Sequence, residues 1–187
     1  MVAMVPFTKR SKRQLYRIAA WVLLAASLVF GLFVLPRLDP GRSALLGAEA
    51  PDFALPVIYG GEPGSRIRLS ELHGHVVLLD FWASWCRPCL EEMVILDRTA
   101  KEPRYRTVML IGVNSDEQQE QALSLLRRVK PSYPSVTDEG GDVAQAYGVD
   151  GLPTLVVIGA DGVVRAIETG VMSAEGIARL LDSAKQY

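Results

Sequence analysis

Cysteine and histidine are both scarce: the 187-residue chain has two of each. Two cysteines cannot build the multiple-bridge framework of a small disulfide-stapled fold. No second Cys pair and no His-x-x-x-His spacing joins them to complete a four-ligand zinc site. Low-complexity tracts and internal repeats are also missing, and with 49% hydrophobic residues the composition supports a packed core. Net charge is nearly absent, at −1, yet it is unevenly divided. Met1 to Arg42 carries seven Lys or Arg against one Asp, whereas Ser43 to Tyr187 carries thirteen against twenty acids, a balance of −7. The larger part therefore has no surplus of positive charge to hold nucleic-acid phosphates, which excludes nucleic acid as a partner. Charge is missing altogether from Ile18 to Leu35, an apolar run of eighteen residues.

A helix of that length crosses most of a hydrocarbon core about 30 Å thick. Lys9, Arg10, Lys12, Arg13 and Arg17 precede it and only Arg37 and Arg42 follow closely, so the positive-inside rule keeps the N-terminus cytoplasmic and exports the rest. The expected organisation is a basic cytoplasmic segment (1–17), a transmembrane signal-anchor (18–35), a Pro- and Gly-containing tether (36–47) and a folded domain (48–187). A cleaved signal peptide is the rival, with Ala48-Glu49-Ala50 as the nearest small-x-small site. The apolar run exceeds the length such peptides use, which favours an uncleaved anchor.

Within the exported part, Phe53 to Ile58 and Arg66 to Leu69 read as short strands around a Gly60 to Gly64 turn, and Val76 to Ala83 as a strand buried on both faces. From Cys89, apolar or small residues recur at Met93, Leu96 and Ala100, the spacing of a helix face. Thr107 to Val113 is a further buried strand. Ser115 with Gln118 has the spacing of a capping box before a helix striped by Ala122, Leu125, Leu126 and Val129. A strand near Pro134 to Thr137, a helix near Asp142 to Tyr147, strands Thr154 to Gly159 and Val163 to Thr169 about an Asp161-Gly162 turn, and a helix capped by Ser173 complete the domain. The order predicts an α/β fold, a sheet with helices on both faces.

Cys86 and Cys89 then fall at the junction of a buried strand and a helix N-terminus. Their bridge would close too small a ring to stabilise much by loop entropy, so redox exchange is the better use. The unpaired N–H groups and positive end of the helix favour a thiolate on Cys86, with Arg87 adding positive charge. Cys89, one turn further in, can attack a mixed disulfide formed on Cys86. Two thiolates also suit copper, although Met93 lies on the inward stripe and reads as core. His73 and His75, before the buried strand, receive no role.

Ala50-Pro51-Asp52-Phe53, the run Phe81-Trp82-Ala83-Ser84-Trp85-Cys86-Arg87-Pro88-Cys89-Leu90-Glu91-Glu92, Gly112-Val113-Asn114 and Gly151-Leu152-Pro153-Thr154, together with the anchor, resemble the TlpA/ResA/DsbE family of membrane-anchored thioredoxin-like proteins. The resemblance implies a thioredoxin-like fold, a mixed central sheet with an N-terminal β extension. It implies Cys86 as nucleophile, Cys89 as resolving cysteine, Glu92 as a proton-handling carboxylate, and Pro153 as a cis-proline that presents the Leu152 backbone to a substrate strand. Trp85, Arg87 and Pro88 join Leu152 and Pro153 as substrate-facing residues. No cofactor and no metal is implied. The expected protein sits in the bacterial inner membrane with its domain in the periplasm. It would reduce disulfides of exported proteins such as apocytochrome c, or copper-site cysteines, and take electrons from a transmembrane donor of the CcdA/DsbD type.

Asp80 departs from many cytochrome-maturation members, which carry Asn there, and matches thioredoxin itself. A carboxyl desolvated inside a strand has a raised pKa and could relay the Cys89 proton near neutral pH. Val94 stands where family members place a helix-kinking Pro, which predicts a straighter helix without lost activity. Three other functions compete: a dithiol oxidant, a thiol peroxidase and a tethered copper chaperone. The peroxidase is weakened by Ala83, where peroxiredoxin-like proteins carry Thr or Ser.

Overall fold

The computed structural model describes residues 10–29, 44–116 and 118–186. The chain divides into two compact units, Met1–Pro40 and Gly41–Tyr187. In the first, helix α1 spans Arg10–Val29. Its residues Trp21, Leu23, Leu24 and Leu28 are exposed. Among the described residues no helix is long and apolar enough to cross a membrane. Four basic residues occupy the first half of α1, and Phe30 to Leu35, the rest of the expected anchor, lie outside the described residues.

The second unit is built on seven strands: β1 (Ala54–Tyr59), β2 (Arg66–Arg68), β3 (Val77–Trp82), β4 (Met109–Asn114), β5 (Ser135–Thr137), β6 (Thr154–Ile158) and β7 (Val164–Thr169). They form one mixed sheet in the order β2-β1-β5-β4-β3-β6-β7. β3, β4 and β5 run parallel, while β6 and β7 on one side and β1 and β2 on the other add antiparallel. The β1–β2 pair is the N-terminal extension. Ahead of it, the Gly47 N–H donates to the Val164 carbonyl and the Ala50 N–H to that of Gly162, which ties the chain's entry to the β7 edge.

Period-two alternation sorts the central strand between two cores. Val77, Leu79 and Phe81 pack with Ile111, Val113, Val136, Val156 and Tyr147 on one face, covered by helix α4 (Asp142–Ala146). Leu78 and Trp82 face the other way. There they meet Met93 and Leu96 of helix α2 (Arg87–Ala100), Leu125 and Leu126 of α3 (Gln119–Val129), and Ile177 and Leu181 of α5 (Ala174–Ala184). Every residue of β3 is buried, and Asp80 is its one charged member.

The helix ends show where local sequence decides. Ser173 caps α5 by accepting from the Gly176 N–H at 3.2 Å. The expected capping box at Ser115 and Gln118 does not form: Gln118 is the residue before α3, and it makes no side-chain cap. Asn114 and Asp116 pair across the turn, at 2.8 Å between Asn114 Nδ2 and Asp116 Oδ2, and helix start is deferred to Gln119. Gln118 instead accepts from Gln121 Nε2 at 3.0 Å.

Gly112 makes room on the same face as Asp80, its partner across the β3–β4 ladder. A Cβ there would lie 2.6 Å from Ser135 Oγ and 2.9 Å from Trp82 Nε1. Gly112→Ala should therefore destabilise the oxidised protein by about 1–3 kcal/mol, the usual cost of overpacking, as read from urea unfolding midpoints.

Candidate active site

β3 delivers the chain to Trp82, and five residues later α2 begins at Arg87. Cys86 is the N-cap of α2 in extended conformation, with Pro88 in the first turn, where a missing N–H costs nothing. Cys86 and Cys89 are joined as a disulfide, and Cys86 Sγ accepts from the Cys89 N–H at 3.2 Å. That bond, with the helix dipole behind it, is the device that stabilises a thiolate on Cys86 once the disulfide is reduced. Cys89 is buried among Trp82, Met93 and Leu126. Trp85, at 71% exposure, stands out beside the pair, and Arg87 and Pro88 are exposed too. The Leu152–Pro153 peptide is cis. Leu152 packs against the cluster that holds both cysteines, so the proline loop adjoins the disulfide. His73 and His75 are exposed in the loop before β3.

Two carboxyl groups are buried on the inner side. Glu92 follows Cys89 by three residues, on the same helix face, and is fully buried. Its Oε1 accepts from the Met172 N–H at 3.0 Å, while Oε2 has no partner. Asp80 accepts on Oδ2 from the Tyr133 hydroxyl at 3.4 Å, and its Oδ1 has none. Burial pushes the Glu92 carboxyl up to about 7, partly countered by the Met172 hydrogen bond. Asp80 is raised well above the ordinary carboxylate range, by burial first and then by the negative charge of Glu92. Ionisation of Glu92 therefore makes Asp80 still more reluctant to ionise. Glu92 is thus not a solvated carboxylate of the first helical turns: it is buried and bonded to the Met172 N–H.

Sequence reasoning missed three contributors. Tyr133 lies 53 residues from Asp80, and the Met172 N–H 80 residues from Glu92. Asp116, 32 residues from Ser84, takes both the backbone N–H (2.8 Å) and the hydroxyl (3.0 Å) of Ser84, two residues before Cys86. Only the polar run Asn114-Ser115-Asp116 directly after a buried strand hinted at the last. Val94, where the family places Pro, is exposed on the outer side of α2. Among the described residues no group of three or more His, Cys, Asp or Glu is placed to hold a metal ion.

The Glu92 shift makes a stability prediction. Between the ordinary carboxyl value of 4.5 and about 7 the native protein holds a proton that the unfolded chain has released. The resulting stabilisation is full below the lower value and is lost as pH rises through the upper one, on the order of 3 kcal/mol in all. Urea unfolding of the oxidised protein should show lower stability at about pH 8 than at about pH 5, and Glu92→Gln should reduce that slope in part, leaving the share of Asp80, which has the same sign.

Residues 45–182 match the family model described as Redoxin. The thiol-disulfide oxidoreductase ResA of Geobacillus kaustophilus is 33% identical over 177 residues, covering 95% of this chain and 99% of that protein. The thiol:disulfide interchange protein DsbE of Xylella fastidiosa is 34% identical over 155 residues, 82% of this chain and 76% of its own length. A crystal structure assigned as DsbE from Chlorobium tepidum superposes with a TM-score of 0.67 at 30% identity, over 74% of this chain and 96% of that one. With a redox-active pair at a helix N-terminus inside this fold, the chain belongs to the Redoxin family, among its ResA- and DsbE-like thioredoxin-fold thiol-disulfide oxidoreductases.

Proposed function

We propose that the protein is a membrane-tethered reductase of disulfides in exported proteins. The observation that carries the direction is the pair of buried carboxyl groups behind Cys89. A strong dithiol oxidant owes its potential to a well-stabilised thiolate. Here the helix N-terminus stabilises charge on Cys86, but negative charge on Glu92 opposes it, so the reduced form is held less tightly and gives up electrons more readily.

The reaction balances as a two-electron exchange. Cys86 thiolate attacks a client disulfide, forming a Cys86–client bond and releasing one client sulfur, which takes up a proton. Cys89 loses its proton to the carboxylate pair and attacks Cys86 Sγ. The enzyme disulfide forms and the second client thiol leaves. With a pKa of about 7, Glu92 is suited to act as base near neutrality, and Asp80 is its reserve deeper in the strand. Trp85, Arg87, Pro88, Leu152 and cis-Pro153 form the surface that meets the client.

The basic flank of the apolar run and the exposed apolar side chains of α1 support an N-terminal anchor in the inner membrane, with the Redoxin unit in the periplasm. Because disulfides persist in that compartment, a reductant there needs electrons from within the membrane, the role of a CcdA- or DsbD-type donor. Apocytochrome c is the client that the family likeness favours, with copper-site cysteines second.

Equilibration of the Cys86–Cys89 couple against glutathione and dithiothreitol tests the direction. A reductase requires a potential near or below about −270 mV, whereas a value near about −120 mV makes the protein a disulfide donor.

A further inference from the structure

The segment between β3 and the nucleophile is held in two independent ways. Cys86 is fixed by its own turn and by its helix: its N–H donates to the Ala83 carbonyl at 3.1 Å, and its sulfur accepts from the Cys89 N–H of the first turn of α2. Ser84, and with it Trp85, is fixed from across the sheet. Both oxygens of Asp116 are engaged there, Oδ2 by the Ser84 N–H and Asn114 Nδ2, Oδ1 by the Ser84 hydroxyl. Asp116 is buried, at 2% exposure, and Asn114 is fully buried at the end of β4, so the carboxylate is seated on the rigid sheet. The Ser84 hydroxyl also lies 3.4 Å from Gln121 Oε1.

We propose that Asp116 is a positioning residue that, through Ser84, holds Trp85 in place as a docking element for protein clients. Trp85 forms one wall of a cleft of about 230 Å³ whose other walls are Ser115, Asp116, Gln118 and Gln121. The Ser115 hydroxyl is shielded from solvent and has no partner, and Gln118 and Gln121 bring amide groups. Such a cleft suits an extended peptide flanking the client cysteine, its main-chain amides meeting the glutamines and its side chain lying on the indole. A small disulfide needs none of this, because the nucleophile is held by α2. The inference rests on the reading of the protein as a disulfide-exchange enzyme and assigns a residue that decides which disulfides it handles.

The test uses the full chain in detergent, pre-reduced and freed of reductant, with insulin as the protein disulfide and bis(2-hydroxyethyl) disulfide as the small one. Asp116→Ala removes both acceptors that hold the Ser84 N–H and hydroxyl. The half-saturating insulin concentration should rise about tenfold with the limiting rate within about twofold, and the small disulfide should be reduced at a rate within about twofold of wild type. Ser84→Ala, which spares the backbone bond, should shift insulin in the same direction by less, and Ser84→Thr should restore wild-type behaviour. Trp85→Ala should reproduce the Asp116→Ala loss without adding to it in the double variant. An equal fall on both disulfides, or no fall on insulin, overturns the proposal. Should wild-type protein reduce neither substrate, the reductase reading fails by itself. The clamp is then read in reverse, with oxidised full chain acting on reduced insulin and on 2-mercaptoethanol, under the same two criteria.

Discussion

A charged residue in the middle of a strand that is buried from end to end is the constraint on which the rest of the site depends. Asp80 has no cation among the groups that perturb it. Its neighbours are the Tyr133 hydroxyl and a second carboxyl, Glu92. An unpaired ion in that setting costs several kcal/mol, so the pair keeps a proton to higher pH than either group would in water. In the proposed mechanism that proton-holding pair serves Cys89, which must give up a proton and later take it back.

The topology makes that placement possible. A parallel strand that runs straight into a helix puts Cys86 on the helix N-terminus and turns Cys89 and Glu92 inward, toward the face that carries Asp80 and Trp82. Gly112 leaves that face open on the neighbouring strand, where the Trp82 indole and the Ser135 hydroxyl occupy the space of a side chain. On the outer side, Trp85 and the Leu152–Pro153 loop border the disulfide. The buried carboxyl groups thus lie inside, and the exposed Trp85 lies outside.

Much of this was legible in the chain. The near-continuous apolar run Val76 to Ala83 announces a buried strand, the residues after Cys86 have helical spacing, and Asp80 stands out as the one charge in the strand. Within the Redoxin unit strands and helices lie within about three residues of their expected limits, α3 being the latest to start, whereas α1 begins at Arg10, well before the expected start of the apolar span at Ile18. Glu92 was harder. Its position beside the 89, 93, 96 stripe allowed either face, and its hydrogen-bond partner, the Met172 N–H, comes from far along the chain. Ser115 misled because Ser-x-x-Gln is a local signal, whereas the turn it occupies is organised by the Asp116 carboxylate reaching back to Ser84. Contacts made across the sheet leave no mark on local periodicity, and for that reason Tyr133 and Asp116 emerged only in three dimensions.

The central claim is that the buried carboxyl pair takes the Cys89 proton when the mixed disulfide resolves. Acid-quench trapping of the mixed disulfide between Cys86 and a peptide disulfide, followed across pH in wild type, Asp80→Asn and Glu92→Gln, measures that step directly. In wild type the resolution rate should rise through about pH 7 with the ionisation of Glu92. In the variants the intermediate should accumulate and its decay should rise only toward the ordinary thiol value of about 8.5. Equal lifetimes and a common pH profile in all three proteins would contradict the account.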